Sequence, residues 1–205
     1  DSSTSRGLGD VYKRQGLITL CEENDIHLIS DEVFAFSDFN GIGCQLNVLK
    51  YEKAVLTNVL SKTFGLPGVR IGWVMSRDLA LTEKVRTLKT YNSICQSQLD
   101  EQVAYFVMRK ARKIIKKNND LVRSNLMLFD HFIAGSNTLS WHRPSAGILG
   151  LVQSSQPIHP MLKNWFEKDV LALPGDLFGI EGDYIRVGFG KKDFAEALAL
   201  ISSSQ

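Results

Sequence analysis

Cysteine is scarce in this chain. Cys21, Cys44 and Cys95 are the only three in 205 residues, an odd number without paired spacing. A disulfide framework is excluded, and free thiols in a reducing compartment are expected. Histidine is as sparse. His27, His131, His142 and His159 are dispersed and share no metal-ligand spacing, so no metal centre is expected. Proline is limited to 5 residues and glycine to 16, which excludes a collagen-like or low-complexity chain. Neither sign of charge dominates: 24 Lys and Arg stand against 22 Asp and Glu. The resulting net charge of +2 argues against broad electrostatic binding to nucleic acid. No apolar run reaches the ~18 residues of a membrane span. No basic-then-apolar segment opens the chain. A cytoplasmic location without membrane or nucleic-acid partners is therefore expected.

What is present suits a folded α/β protein. Apolar residues make up 44% of the chain and charged ones 22%, enough for a real core and inconsistent with intrinsic disorder. Residues 1–15 stand apart. They are polar, rich in Ser and Gly, without helical or strand period, and begin with Asp, not Met. This stretch is expected to be extraneous or disordered. Beyond it, residues 16–24 read as a helix end, and Ile26–Ile29, Ala54–Leu60 and Arg70–Met75 as short strands. Leu79–Lys89 and Leu99–Phe132 carry helical spacing, the latter as one long or two consecutive helices. Val103, Val107, Ala111, Ile114 and Ile115 mark its face, then Leu121, Val122, Asn125, Leu128 and Phe132. The basic run at 109–117 is interrupted by apolar residues at core spacing, which makes it a solvated helix face. Short strands follow at Leu139–Trp141, Ile148–Val152, Val170–Leu173 and Tyr184–Phe189, with helices at Met161–Lys168 and Asp193–Ile201. A domain boundary is expected near residue 110, giving units 16–110 and 111–205.

The chemistry concentrates in S-K-T-F-G-L-P-G-V-R-I-G-W, residues 61–73. Lys62 directly follows a buried strand, where desolvation would favour a neutral, nucleophilic amine able to form a Schiff base. Arg70, eight residues on, follows a glycine-rich turn and suits a phosphate, which a guanidinium grips through two parallel hydrogen bonds. A second element, S-D-E-V-F at 30–34, puts Asp31 at another strand end. Strand carboxyl ends line the ligand crevice of α/β sheets. A buried carboxylate there would stabilise a protonated ring nitrogen by roughly 4 kcal/mol at 4 Å and an effective dielectric of about 20. Amine, phosphate grip and carboxylate together are what pyridoxal 5'-phosphate requires.

S-D-E-V-F, the 61–73 block, W-H-R-P-S-A-G, L-P-G-D-L-F-G and Y-I-R-V-G-F-G occur in that order. The chain from about residue 16 onward thereby resembles the class I/II aminotransferases, fold-type I pyridoxal-phosphate enzymes. The resemblance implies an aspartate aminotransferase-like α/β fold. The chain would carry the carboxyl-terminal part of the large, mixed and mostly parallel sheet domain, then a smaller α/β domain. It implies that Lys62 bonds the cofactor and then shuttles the substrate Cα proton. Asp31 would face the pyridine nitrogen, Ser61 and Arg70 would hold the phosphate, and Arg186 would clamp the substrate carboxylate. Phe34 occupies the position where the family usually carries a Tyr that contacts the cofactor's ring oxygen, and Phe cannot donate that bond. Ala146 stands where Gly is common.

The implied activity is transfer of an amino group from an amino acid to a 2-oxo acid, within amino-acid metabolism and in a homodimer. The alternatives are a lyase, a decarboxylase or an aminocyclopropane-carboxylate synthase-like elimination. A non-catalytic ligand-sensing domain of a transcription regulator is a further one. Family members are about twice this length, so the chain is expected to be a fragment. Alone, it should expose a sheet edge and apolar faces, aggregate or bind cofactor poorly.

Overall fold

The structure, a computed structural model, describes residues 15–37 and 46–202. The expectations for residues 1–14 and for Cys44 lie outside the described residues. The chain divides into two compact units, one through Ala111 and one from Arg112.

The first unit is built on a three-stranded sheet of order β1-β2-β3, with β1 at Leu28–Asp31, β2 at Ala54–Val59 and β3 at Gly72–Ser76. β1 runs parallel to β2, with Asp31 opposite Thr57, and β3 runs antiparallel, with Gly72 opposite Val59. β2 alternates cleanly, burying Ala54, Leu56 and Asn58. Ala54 and Leu56 join Ile18 and Cys21 of helix α1 (residues 15–23), Val48 and Tyr51 in one apolar cluster. Tyr51 ties it together by donating towards the carbonyls of Ile26 (2.8 Å) and Cys21 (3.1 Å). Burial pushes its hydroxyl above the ordinary tyrosine range, so it remains a donor. At Gly72 the chain passes so close to β2 that a Cβ would sit 2.7 Å from the Asn58 carbonyl oxygen, which only glycine avoids.

Helices α2 (Leu79–Asn92) and α3 (Gln98–Arg109) start at side-chain caps, Asp78 accepting from the Leu81 N–H and Ser97 from the Asp100 N–H. α2 buries no residue, and Leu79, Leu88, Tyr91, Ile94 and Leu99 stand exposed. β1 is an edge strand whose Ile29 is also exposed. The β1 edge and these apolar side chains are uncovered among the described residues.

The second unit opens inside α4, Ala111–Ala134, from its second residue onward. The helical stretch from 98 onward is therefore two helices, separated at Lys110. The buried stripe of α4 is Val122, Asn125, Leu126, Phe129 and Phe132, and Leu128 points to solvent. The expected stripe was thus partly out of phase. Apolar residues on both sides of the helix leave its rotation open until a sheet packs on it. That sheet has the order β4-β5-β7-β6, antiparallel throughout: β4 Leu139–Trp141, β5 Leu149–Ser154, β6 Leu173–Pro174 and β7 Tyr184–Gly188. Phe129 is its hub, with ring centroids 4.8 Å from Trp141 and 5.4 Å from Phe189. Helix α5 (Ile158–Phe166) begins earlier than its apolar pattern indicates, because Asp183 caps it from afar, accepting from the Ile158 N–H at 3.0 Å. Helix α6 (Phe194–Ser202) closes the unit. The basic run around 109–117 is solvated, with Lys116 paired to Asp120 on the same helix.

Asn125 is the one buried polar side chain of α4 among the described residues, and its amide donates to the carbonyls of Phe189 (2.9 Å) and Lys191 (2.8 Å). These bonds pin the β7–α6 connection to the helix. Asn125→Ala strands two acceptors, and the expected loss is about 1–3 kcal/mol of unfolding free energy. Chemical denaturation checks this; an unchanged midpoint would show that water replaces the amide without cost.

Candidate active site

Topology gathers the predicted site of the first unit at one end of its sheet. β1 and β2 are parallel, so Asp31, the last residue of β1, and Ser61-Lys62, just beyond β2, leave the sheet on the same side. β3 is antiparallel, so Arg70, two residues before its start, enters from that side as well. Two stretches distant in sequence, 30–34 and 61–70, therefore meet at one sheet end without any special pairing of their side chains.

Local hydrogen bonds shape each segment. After β1, the Glu32 N–H donates to Thr57 O at 2.8 Å, and the Val33 N–H donates to Asp31 Oδ1 at 3.2 Å. Thr57 Oγ1 lies 3.5 Å from the same carboxylate oxygen. After β2, the Gly65 N–H donates to Lys62 O at 2.9 Å and the Leu66 N–H to Leu60 O at 3.0 Å, closing a tight turn around the lysine. Gly65 has φ 71°, a left-handed conformation that glycine adopts freely. Thr63 is buried and donates to Ala35 O at 2.7 Å, which ties the lysine turn to the turn bearing Phe34. Lys62 Nζ consequently lies over the Phe34 ring, 5.7 Å from its centroid. Arg70 is held in the left-handed region at φ 53°, ψ 30°, and its Nη1 donates to Pro67 O at 3.0 Å.

Burial differs from expectation. Lys62 and Ser61 are half-buried, whereas Asp31, Phe34 and Arg70 are exposed. The enclosed carboxylate and desolvated amine expected from the strand ends are not formed by this chain's residues alone. The reason is physical: among the described residues β1 is an edge strand, and no strand flanks Asp31 on its outer side. Among the described residues no cation pairs with Asp31, and no carboxylate pairs with Lys62 or Arg70. An amine, a guanidinium, a hydroxyl and a carboxylate at one sheet end keep their charges available to a ligand. That donor set fits a molecule bearing a phosphate, an aldehyde and a basic ring nitrogen.

Arg186 belongs to the second unit. It sits in β7 between Leu151 of β5 and Leu173 of β6, half-buried, with its Cζ over the Phe178 ring at 4.4 Å from the centroid. Phe178 was not singled out by sequence reasoning, which used L-P-G-D-L-F-G only as one of the ordered motifs of the resemblance. Thr57 and Thr63 were also missed. Their only sequence signal is adjacency to Asp31's partner strand and to Lys62. Among the described residues no group of His, Cys, Asp and Glu could hold a metal ion, and no helix is long and apolar enough to cross a membrane.

Comparison with known proteins follows the same lines. The family model described as aminotransferase class I and II matches residues 4–199. A probable aspartate aminotransferase of Methanocaldococcus jannaschii is 25% identical over 215 residues, covering 98% of this chain and 56% of that protein. A 1-aminocyclopropane-1-carboxylate synthase of Solanum lycopersicum is 30% identical over 107 residues, 45% of this chain and 23% of that protein. The crystal structure of a PLP-dependent aminotransferase from Streptococcus suis superposes with a TM-score of 0.79 at 27% identity, over 91% of this chain and 49% of that one. The chain spans about half the length of the relatives it matches over most of its own length.

Proposed function

The chain belongs to the class I and II aminotransferases, and on that premise we propose that it supplies the lysine-bearing half of a pyridoxal-phosphate-dependent transaminase. The observation that carries the reading is the meeting of Asp31, Ser61, Lys62 and Arg70 at one sheet end, with no ion partner for Asp31, Lys62 or Arg70 among the described residues. When bound, pyridoxal 5'-phosphate supplies an aldehyde that joins amines and a ring that draws electrons from the attached carbon. The Lys62 amine would hold the group's aldehyde carbon and would serve as the base that moves a proton at the substrate Cα. Asp31 holds a proton on the ring nitrogen, an attraction that strengthens as water is excluded. Ser61 and Arg70 bind the phosphate, the hydroxyl and the guanidinium each donating to its oxygens. Arg186 binds the α-carboxylate of an amino acid or 2-oxo acid. Phe34 lends a ring face near Lys62 but no hydroxyl, so ring-oxygen contacts must come from elsewhere.

In this proposal the functional protein is longer than these 205 residues, cytoplasmic and homodimeric, with the exposed faces of α2 and of the β1 edge covered in the assembled enzyme. The domain reading, 16–110 as the end of the cofactor domain and 111–205 as the small domain, stands as part of the same proposal.

Incubation of the full-length enzyme with amino acids and a 2-oxo acid acceptor tests the reaction type. Stoichiometric appearance of a new amino acid and a new oxo acid is expected. Release of ammonia would instead indicate a lyase, release of CO₂ a decarboxylase, and a ring product without acceptor consumption a reaction like that of the synthase relative.

A further inference from the structure

We propose that Phe178 is a positioning residue that holds the Arg186 guanidinium ready for a carboxylate; the inference rests on the reading of Arg186 as the carboxylate clamp. Phe178 is 44% exposed, so its ring adds little to the core of the second unit. Its place is nevertheless tightly set. Leu173 and Pro174 pair with Arg186 and Ile185, which fastens the start of the turn to the strand that carries the arginine. Gly175 packs so closely on Tyr184 that a Cβ would lie 2.8 Å from that residue's own Cβ. The Ile180 N–H donates to Gly175 O at 3.1 Å and the Gly179 N–H to Asp176 O at 3.0 Å. Gly179 turns the chain at φ 70°. The turn is thereby closed on both sides of Phe178, and its ring lies against the guanidinium, 4.4 Å from centroid to Cζ.

That arrangement has a chemical consequence. A guanidinium held over an aromatic face is attracted by the ring quadrupole and uses no N–H donor in the contact. Among the described residues no hydrogen bond or ion pair engages the Arg186 side chain. All five N–H donors thus stay available to a ligand, while the ring restrains the long side chain that would otherwise sample many rotamers. The aromatic face also lines one side of the carboxylate position.

The test uses the full-length holoenzyme with Phe178→Leu, Phe178→Tyr and Arg186→Gln. The probe is 3-phenylpropanoate, a carboxylate without an amino group, titrated calorimetrically. Phe178→Leu is expected to weaken its binding by about 3- to 30-fold, the range of a cation–π contact. The KM for the amino acid should rise similarly and more than kcat falls, because the carboxylate contact is made in both ground and transition states. Phe178→Tyr keeps the ring and should restore both. Unaltered probe binding in Phe178→Leu, with binding abolished in Arg186→Gln, would overturn the role of Phe178 alone. Unaltered binding in Arg186→Gln would overturn the carboxylate clamp and this inference with it. Should Phe178→Leu fail to fold, the wild-type NMR signal of Arg186 Nε–Hε decides. A ring-current upfield shift that changes on adding the probe supports the stacked clamp, and an unshifted signal contradicts it.

Discussion

Lys62→Ala should reduce kcat of the full-length enzyme by roughly 10²- to 10⁴-fold, the scale of a lost acid–base group, and should abolish covalent retention of the cofactor. The substitution removes atoms beyond Cβ from a half-buried side chain that, among the described residues, lies over the Phe34 ring. The turn itself depends on backbone groups, Lys62 O and Leu60 O, and on buried Thr63. Alanine leaves all of these in place, so the thermal midpoint should change little. Lys62→Arg provides the contrast. It keeps the positive charge and the approximate reach, but a guanidinium stays protonated and cannot serve as nucleophile or proton carrier. Equal inactivity of both variants identifies amine chemistry as the requirement; recovery of activity in Lys62→Arg would mean that only a charge is needed at this position.

The second large effect belongs to Asp31. Asp31→Asn is nearly isosteric, and its side-chain oxygen can still accept from the Val33 N–H, which holds the present carboxylate at 3.2 Å. What disappears is the negative charge. At an effective dielectric of about 20 and a separation near 4 Å, an ion pair with a protonated ring nitrogen is worth roughly 4 kcal/mol. Lost from the transition state, that corresponds to a fall in kcat of up to about 10³-fold. Steady-state rates of the folded, cofactor-loaded variant provide the measurement. Asp31 is exposed in this chain, so the full effect is the expectation for the proposed longer enzyme, in which further protein would exclude water from the carboxylate. An undiminished kcat in Asp31→Asn would mean that the ring nitrogen is not protonated by this residue.

The sequence was most readable where strand ends coincide with abrupt changes of residue type. Apolar runs stop at Asp31 and at Ser61-Lys62, and the structure puts the ends of β1 and β2 beside them. Register and strand direction then bring Arg70 to the same side, which a linear pattern shows only as order along the chain. Burial was not readable in the same way, since it depends on what packs against the sheet. Asp31 lies on an edge strand and remains exposed, and α2 buries nothing despite its apolar residues.

Non-local contacts account for the other differences. The start of α5 is decided by Asp183, which follows the helix by many residues. The rotation of α4 is decided by an aromatic cluster contributed from β4, the segment after β7 and α6. Val170–Leu173 is expected as a strand, yet only Leu173 and Pro174 pair, with Arg186 and Ile185 of β7. Phe178 is the instructive case for the site. Its sequence neighbours Pro174, Gly175 and Gly179 announce a turn, and nothing local tells which strand residue the ring will cover.

The central claim is that Lys62 is the residue to which pyridoxal phosphate becomes attached. Borohydride reduction of the full-length holoenzyme, followed by proteolysis and mass mapping, measures this directly. The account predicts a single stoichiometric phosphopyridoxyl mark on the peptide containing Lys62. An unmarked Lys62 in a folded enzyme saturated with cofactor, or a mark on another lysine, would contradict it.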